Sequence, residues 1–409
     1  MKKLSFLLLS AAFAIMPSCS SDEPAPQIIE EGPLSYTLTD SESRAAQSLQ
    51  DFGTEYFLQS CKLLGGNVVM SPFTMSLSLS MFANAAAPEY VGEYYTTLGY
   101  SDLASLNSFN QKLVSTMGRL DPEGAAVHLG SSFWHRKQLD VASDFGSTLA
   151  DMYDVDFYAR DFDAAREVSS EMLSWANSKT DNAFKILTVT PAQVDYYLLN
   201  VLNFKGIWTD GFGEPYPTKY PFYGKDFTTK VPMMSCTFHA DVRKCDDYSA
   251  VRKTFGDGTF TATFVLPAEG KTLEDIYTSE IFSDFMTGEY VSEKIYFELP
   301  PFKAETKGSW SGSLTDALPV MGLSREAMKG LRLFEGDKTS AAGSLEMEMS
   351  VAFDEKGAEA VVNTGEIIYT ALFTEPDDKF YFNRPFLFFI TEKTSSLALF
   401  AGKIENMGL

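Results

Sequence analysis

The chain has 409 residues, 45% of them hydrophobic, with 33 Phe and 19 Tyr, enough to fill a large core and to exclude disorder throughout. Lys and Arg number 33 against 55 Asp and Glu, a formal net charge of -22; that field repels phosphate backbones, no basic patch offsets it, and no nucleic-acid partner is expected. The histidines are His128, His135 and His239 alone. No Cys/His/carboxylate spacing suggests zinc, no cofactor is expected, and without a G-x-S-x-G elbow the chain does not read as an enzyme.

Residues 1–14, MKKLSFLLLSAAFA, place two lysines before an apolar run without acidic residues, the charge order of an export signal and too short a run for a comfortable span. The small residues before Cys19 resemble a lipoprotein processing site. On that reading residues 1–18 are a signal peptide, Cys19 is lipidated, 19–37 form a polar, proline-rich tether, and 38–409 form one domain. The alternative is an ordinary signal peptide cut nearby, with Cys19 incidental. The expectation is an exported outer-membrane lipoprotein, at the cell surface or the periplasmic face, touching the membrane only through its N-terminal lipid. Cys61 lies in an apolar-periodic segment and reads as a core residue. Cys236 and Cys245 lie in SCTFHADVRKC, where a hairpin would let them pair if the Cβ geometry allowed it.

Arg44–Leu64 has helical spacing at Leu49, Phe52, Tyr56, Phe57 and Leu63. Asn67–Met70 reads as a strand stopped by Ser71-Pro72, and Phe73–Ala87 as a charge-free helix that must be buried. Val127–His135 and Tyr196–Phe204 read as buried strands, Asp144–Met152 and Ser170–Ser178 as helices. Beyond Pro217 strand signals dominate: Thr261–Leu266, Lys294–Leu299, Leu345–Phe353 and Phe386–Thr391. With no internal repeat, the pattern predicts a single α+β domain with helices early and large mixed or antiparallel sheets later. After Phe353 comes DEKGAEAVVNTGEIIYTALFTEPDD, which has high strand propensity but no helix or hairpin punctuation; long connections of this kind are usually functional.

The order of motifs resembles the serpin family of suicide protease inhibitors. NVVMSPFT (Asn67–Thr74) is similar to the family's strand-turn-helix opening, NVLNFKGIW (Asn200–Trp208) to its central strand and breach tryptophan, and VPMM (Val231–Met234) and FVLPAEG (Phe264–Gly270) to two further strands. DEKGAEA (Asp354–Ala360) is similar to the reactive-loop hinge, and the stretch from Phe382 to Lys403 to the C-terminal signature. The resemblance covers residues 38–409. It implies three β-sheets with eight or nine helices and an exposed reactive-centre loop, in a monomer whose partner is a target serine protease. The protease attacks the loop and forms an acyl-enzyme through its own nucleophile. The loop then inserts as a new strand and drags the protease with it. The inhibitory fold persists because the barrier to conversion is high.

The resemblance assigns the hinge to Glu355, Gly357, Ala358, Glu359, Ala360, Val361 and Val362, and the gate and breach to Ser71, Asn200, Trp208 and Met347. As an inserted strand the loop would turn Ala358, Ala360, Val362 and Thr364 inward, and Glu359, Val361, Asn363 and Gly365 outward. The inward set is small or β-branched and uncharged until Glu366, whose burial would be costly. The family usually has Thr or Ser where Ala358 stands. It usually has histidine where Met347 stands, so hydrogen bonds expected from that position to Asn200 are lost. Family spacing puts the cleaved bond between Ala371 and Leu372, which suits an elastase-like pocket. The interval from Glu355 to Pro385 is longer than typical, which keeps Tyr369, Thr370 and Thr374 open as alternatives, the first suiting a chymotrypsin-like pocket. No Arg or Lys lies between Gly357 and Pro376, which disfavours trypsin-like targets. A non-inhibitory binding protein and a plain protease substrate are the rival readings.

Overall fold

Helix identity is set early by two capping arrangements. The Thr39 side chain accepts from Glu42 N while the Glu42 carboxylate accepts from Thr39 N, a reciprocal cap that starts α1 (Asp40–Leu63). Ser71 accepts from Thr74 N to start α2 (Pro72–Ala83), with Pro72 at the first helical position. Every residue of α2 is buried. Its serines survive burial by turning to their own backbone: Ser76 donates to Phe73 O, Ser78 to Thr74 O and Ser80 to Ser76 O, at 2.7–2.8 Å. The helix stops at Ala83, short of the expected Ala87, where Asn84 folds back its side chain to Ser80 O.

This computed structural model describes residues 36–120, 123–180, 182–185, 187, 189, 191–309, 315–336, 343–358, 376 and 378–408, with the backbone alone for 305–309, 343–344 and 346–350. The remaining helices are α3 (Val91–Leu98), α4 (Leu103–Met117), α5 (Ser143–Tyr153), α6 (Ala165–Lys179), α7 (Ser279–Thr287), α8 (Ala317–Val320) and α9 (Arg325–Lys329). The strands are β1 (Val68–Met70), β2 (Ala125–Arg136), β3 (Val155–Arg160), β4 (Tyr196–Ile207), β5 (Tyr220–Tyr223), β6 (Thr228–Val231), β7 (Met234–Lys244), β8 (Tyr248–Phe255), β9 (Phe260–Pro267) and β10 (Val291–Leu299). They continue with β11 (Phe302–Ser309), β12 (Gly343–Phe353), β13 (Gly357–Ala358), β14 (Asp378–Tyr381), β15 (Phe386–Glu392) and β16 (Ala398–Ile404). Nine α-helices and three sheets among the described residues match the α+β expectation. Helices α7–α9 fall in the stretch where strand signals dominate.

The sheets have the orders β1-β16-β15-β9-β8-β7-β10-β14, β11-β12-β13-β4-β2-β3 and β5-β6. The six-stranded sheet positions the site. Strand β4 is buried nearly throughout because both faces are covered. Tyr196, Leu198, Leu202 and Phe204 face the main core with Phe133 and α2. Tyr197, Leu199 and Val201 face the other way, into a smaller core with Trp134, Phe162, Met172 and Trp175 of α6.

Cys236 and Cys245 do not form a hairpin. β7 is one continuous strand, and nine residue steps of extended chain separate the two by roughly 30 Å, far beyond disulfide reach. Both are free, as is Cys61, which is buried as expected.

Candidate functional site

The site is the seam between β4 and β12. The two strands run parallel and are directly paired from Gly343↔Tyr196 to Glu348↔Val201. At the far end β13 stands between them, Ala358 paired with Phe353 on one side and Gly206 on the other, Gly357 with Ile207. The seam is therefore zipped at one end and holds the first two residues of an additional strand at the other.

That open end is built around Trp208, immediately after β4. Its indole stacks on Phe255 at 4.2 Å and lies near-parallel to Phe353 at 5.8 Å, and its Nε1 donates to Asp354 O at 3.0 Å. Its backbone N donates to Lys356 O, and Phe212 N to Glu355 O. Asp354 ties the turn together, its carboxylate accepting from Lys356 N and Gly357 N at 2.8 and 3.0 Å. Gly357 is required by close approach: a Cβ there would lie 1.8 Å from Gly206 O. Gly206 is confined in turn by the rings of Phe204 and Phe255, each 2.8 Å from where its Cβ would be. Ala358 is fully buried in the main core, on the inward parity expected of it.

Beside Trp208 lies a buried cation that the sequence reading did not single out. Lys253 Nζ sits 3.8 Å from the centre of the Phe238 ring, 4.8 Å from Phe212 and 5.5 Å from Trp208. It donates to Asp210 O, and to Cys236 Sγ at 3.6 Å. Burial pulls its pKa below the ordinary lysine value, against the opposing pull of Cys236 and Asp210. Burial likewise pushes the Cys236 thiol up to about 11. The signal was legible: Val251, Lys253 and Phe255 share one parity of β8, so a strand with its core on that side must bury the lysine.

At the zipped end, Asn200 of β4 is buried and its Nδ2 donates to Ser78 Oγ at 2.6 Å, which relays the bond to Thr74 O. Asn200 thus meets α2 two turns beyond the Ser71 cap, not at it. Asn200 Oδ1 has no hydrogen-bond partner among the described residues. Met347 occupies the position in register with Asn200 on β12. An unmet buried carbonyl of this kind costs about 1–3 kcal/mol.

Of the sequence-derived site residues, the fold brings together Glu355, Gly357, Ala358 and Trp208 at one end of the seam, and Asn200 and the Met347 backbone position at the other, while Ser71 caps α2 two turns away from Asn200. Glu359, Ala360, Val361, Val362, Glu366, Tyr369, Thr370, Ala371, Leu372, Thr374 and Cys19 lie outside the described residues. Of the histidines, His135 is buried against Phe133 and Phe334. Among the described residues no cluster of three His, Cys, Asp or Glu could hold a metal.

A family model described as "Serpin (serine protease inhibitor)" matches residues 47–407. Among curated proteins, Serpin-Z1 of Arabidopsis thaliana is 27% identical over 83% of this chain and 88% of its own length, and alpha-1-antitrypsin of Sus scrofa 25% identical over 89% and 87%. Among solved structures, the thermophilic serpin tengpin in its native state superposes with a TM-score of 0.77 at 20% identity, over 92% of this chain and 97% of that one. Human thyroxine-binding globulin in complex with its hormone superposes with a TM-score of 0.75 at 19% identity, over 90% and 100%. At these identities the structural likenesses establish the fold.

Proposed function

This chain belongs to the serpin family, a family described as serine protease inhibitors, and from that premise we propose that it is a suicide inhibitor of elastase-like or chymotrypsin-like serine proteases. The observation that carries this is the seam, with Gly357 and Ala358 already paired between β4 and β12 while the same two strands remain directly joined further down. The protease's nucleophile cleaves the loop, between Ala371 and Leu372, and stays acylated to it. The freed loop continues the course that Ala358 has begun, parting the direct ladder residue by residue and gaining a hydrogen-bonded neighbour on each side. The family resemblance makes the resulting displacement of the protease the trapping event. The small inward set Ala358, Ala360, Val362 and Thr364 keeps the barrier to insertion low, and Glu366 is the one inward residue that opposes it.

Incubation with pancreatic elastase and with chymotrypsin tests this. The expected result is a covalent complex surviving denaturing electrophoresis, with a released C-terminal peptide beginning at Leu372 for elastase, or at Thr370 for chymotrypsin cutting after Tyr369. Cleaved chain without complex would contradict it. A second reading, a non-inhibitory binding protein, is favoured by one observation: among the described residues Asn200 Oδ1, in register with the Met347 position, has no hydrogen-bond partner. The protein acts as a monomer held to the outer membrane by lipid on Cys19, after loss of residues 1–18. Replacing Cys19 by Ala would then move it from the membrane fraction to the soluble one, and unchanged partitioning would contradict the anchor.

A further inference from the structure

An exposed row of tyrosines lies where the reactive loop rejoins the body. Strand β14 is the terminal strand of the eight-stranded sheet, paired in parallel with β10. Alternation sends Phe297 and Phe380 into the core and leaves Tyr296 and Glu298 of β10, and Lys379 and Tyr381 of β14, on the outer face. Tyr216 and Tyr220 extend that row. Tyr216 and Tyr296 share a hydroxyl contact of 3.3 Å, the Tyr216 and Tyr220 rings are 6.0 Å apart, and Tyr296 and Tyr381 are 5.8 Å apart. Tyr216, Tyr220 and Tyr381 keep 39%, 44% and 43% of their surface exposed. Strand propensity accounts for Tyr296 and Tyr381, but Tyr216 lies outside any strand and is still held against Tyr296.

We propose that this row is a second docking site for the same target protease, one that presents a basic, arginine-bearing surface beside its active-site cleft. The inference rests on the inhibitory reading above. From Leu372 to Asp378, where β14 starts, is at most about 20 Å of extended chain. A protease domain of about 230 residues has a radius of gyration of about 17 Å, so its body, seated on that bond, overlies the tyrosines. Partly exposed tyrosines suit an interface core and stack on guanidinium groups, Glu298 adds a carboxylate that accepts from Tyr296 at 2.9 Å, and the net charge of -22 draws a basic partner in. The contact acts on encounter and is left behind when the protease is carried away, so it governs association rate and not the fate of the acyl-enzyme.

The test compares the full chain with Tyr216→Ser/Tyr381→Thr, the second substitution keeping strand propensity, and measures the second-order rate of loop attack by a basic elastase-type protease at low and at physiological salt. A synthetic peptide spanning 357–377 serves as the docking-free control. The expected result is a fall of about tenfold in the rate of attack on the double variant, to a rate closer to that of the peptide, with unchanged melting and unchanged inhibition stoichiometry. An unchanged rate for the variant would overturn the docking site. A chain cleaved without being trapped would overturn inhibition, yet its cleavage rate would still report docking.

Discussion

The two ends of the seam contrast in how they are held. At the open end the contacts are aromatic and backbone: Trp208 between Phe255 and Phe353, Asp354 knotting its turn, and two opposed glycines letting Gly357 touch Gly206. At the zipped end a parallel ladder carries the load, backed by one polar chain from Asn200 through Ser78 to the α2 backbone, with Asn200 Oδ1 unmet among the described residues. On the proposed inhibitory reading the open end, where β13 already stands, is the fixed end and the zipped end is the one that parts, so insertion would run from Trp208 toward Asn200.

The sharpest way to break the comparison is Ala358→Arg. The residue is fully buried between β4 and β12, and burying an unpaired cation there costs several kcal/mol. Trapping is expected to vanish while loop cleavage continues, read as stoichiometry of inhibition alongside cleavage rate; normal trapping would refute insertion at this point. Trp208→Ala comes next. Emptying the stack at the open end should cost about 3–5 kcal/mol, measured by denaturant unfolding, and a loss below 1 kcal/mol would show that the open end is not the rigid one. At the other end, Met347→His would set an imidazole in register with Asn200. One regained hydrogen bond is worth about 1 kcal/mol and should raise the melting temperature by about 2 °C. No gain would mean that the zipped end does not lack the bond.

The smallest effect is on pH. Burial holds His135 below its ordinary value of 6.5, outweighing the Arg136 and Leu139 carbonyls and Asp140, which raise it. The folded state is then the less protonated one, so its stability is full above about pH 6.5 and falls as pH drops from there toward the folded value. His135→Phe keeps a ring against Phe133 and Phe334 and should flatten the dependence of melting on pH in that window. An unchanged slope would move the effect to another group.

Much of the sheet was legible because β4, β9 and β15 carry apolar runs and β12 alternates apolar with polar residues; all four stand where the sequence placed them, within a few residues at the ends. Motif order gave the family. The parity of Ala358 follows from alternation alone. What escaped was set by tertiary context. The SCTFHADVRKC stretch that could have been a hairpin pairing Cys236 with Cys245 is one long strand, along which Arg243 is paired with Asp284 of α7 and Lys244 with Glu293 of β10. A lysine is rarely buried, and the parity of Lys253 in β8 is made tolerable by partners distant in the chain: the rings of Phe212, Phe238 and Trp208 and the Asp210 carbonyl. The close approach of Gly206 to Gly357 joins residues far apart in the chain, and neither glycine signals the other.

The account stands or falls on whether the hinge continues into the sheet once the loop is cut. A structure of the cleaved chain tests this most directly. It should show residues 359–371 extending β13 down the full seam, with β4 and β12 no longer paired at Asn200 and Met347. Cleaved chain with the Gly343–Glu348 ladder to β4 intact, and nothing beyond Ala358 between the strands, would contradict it.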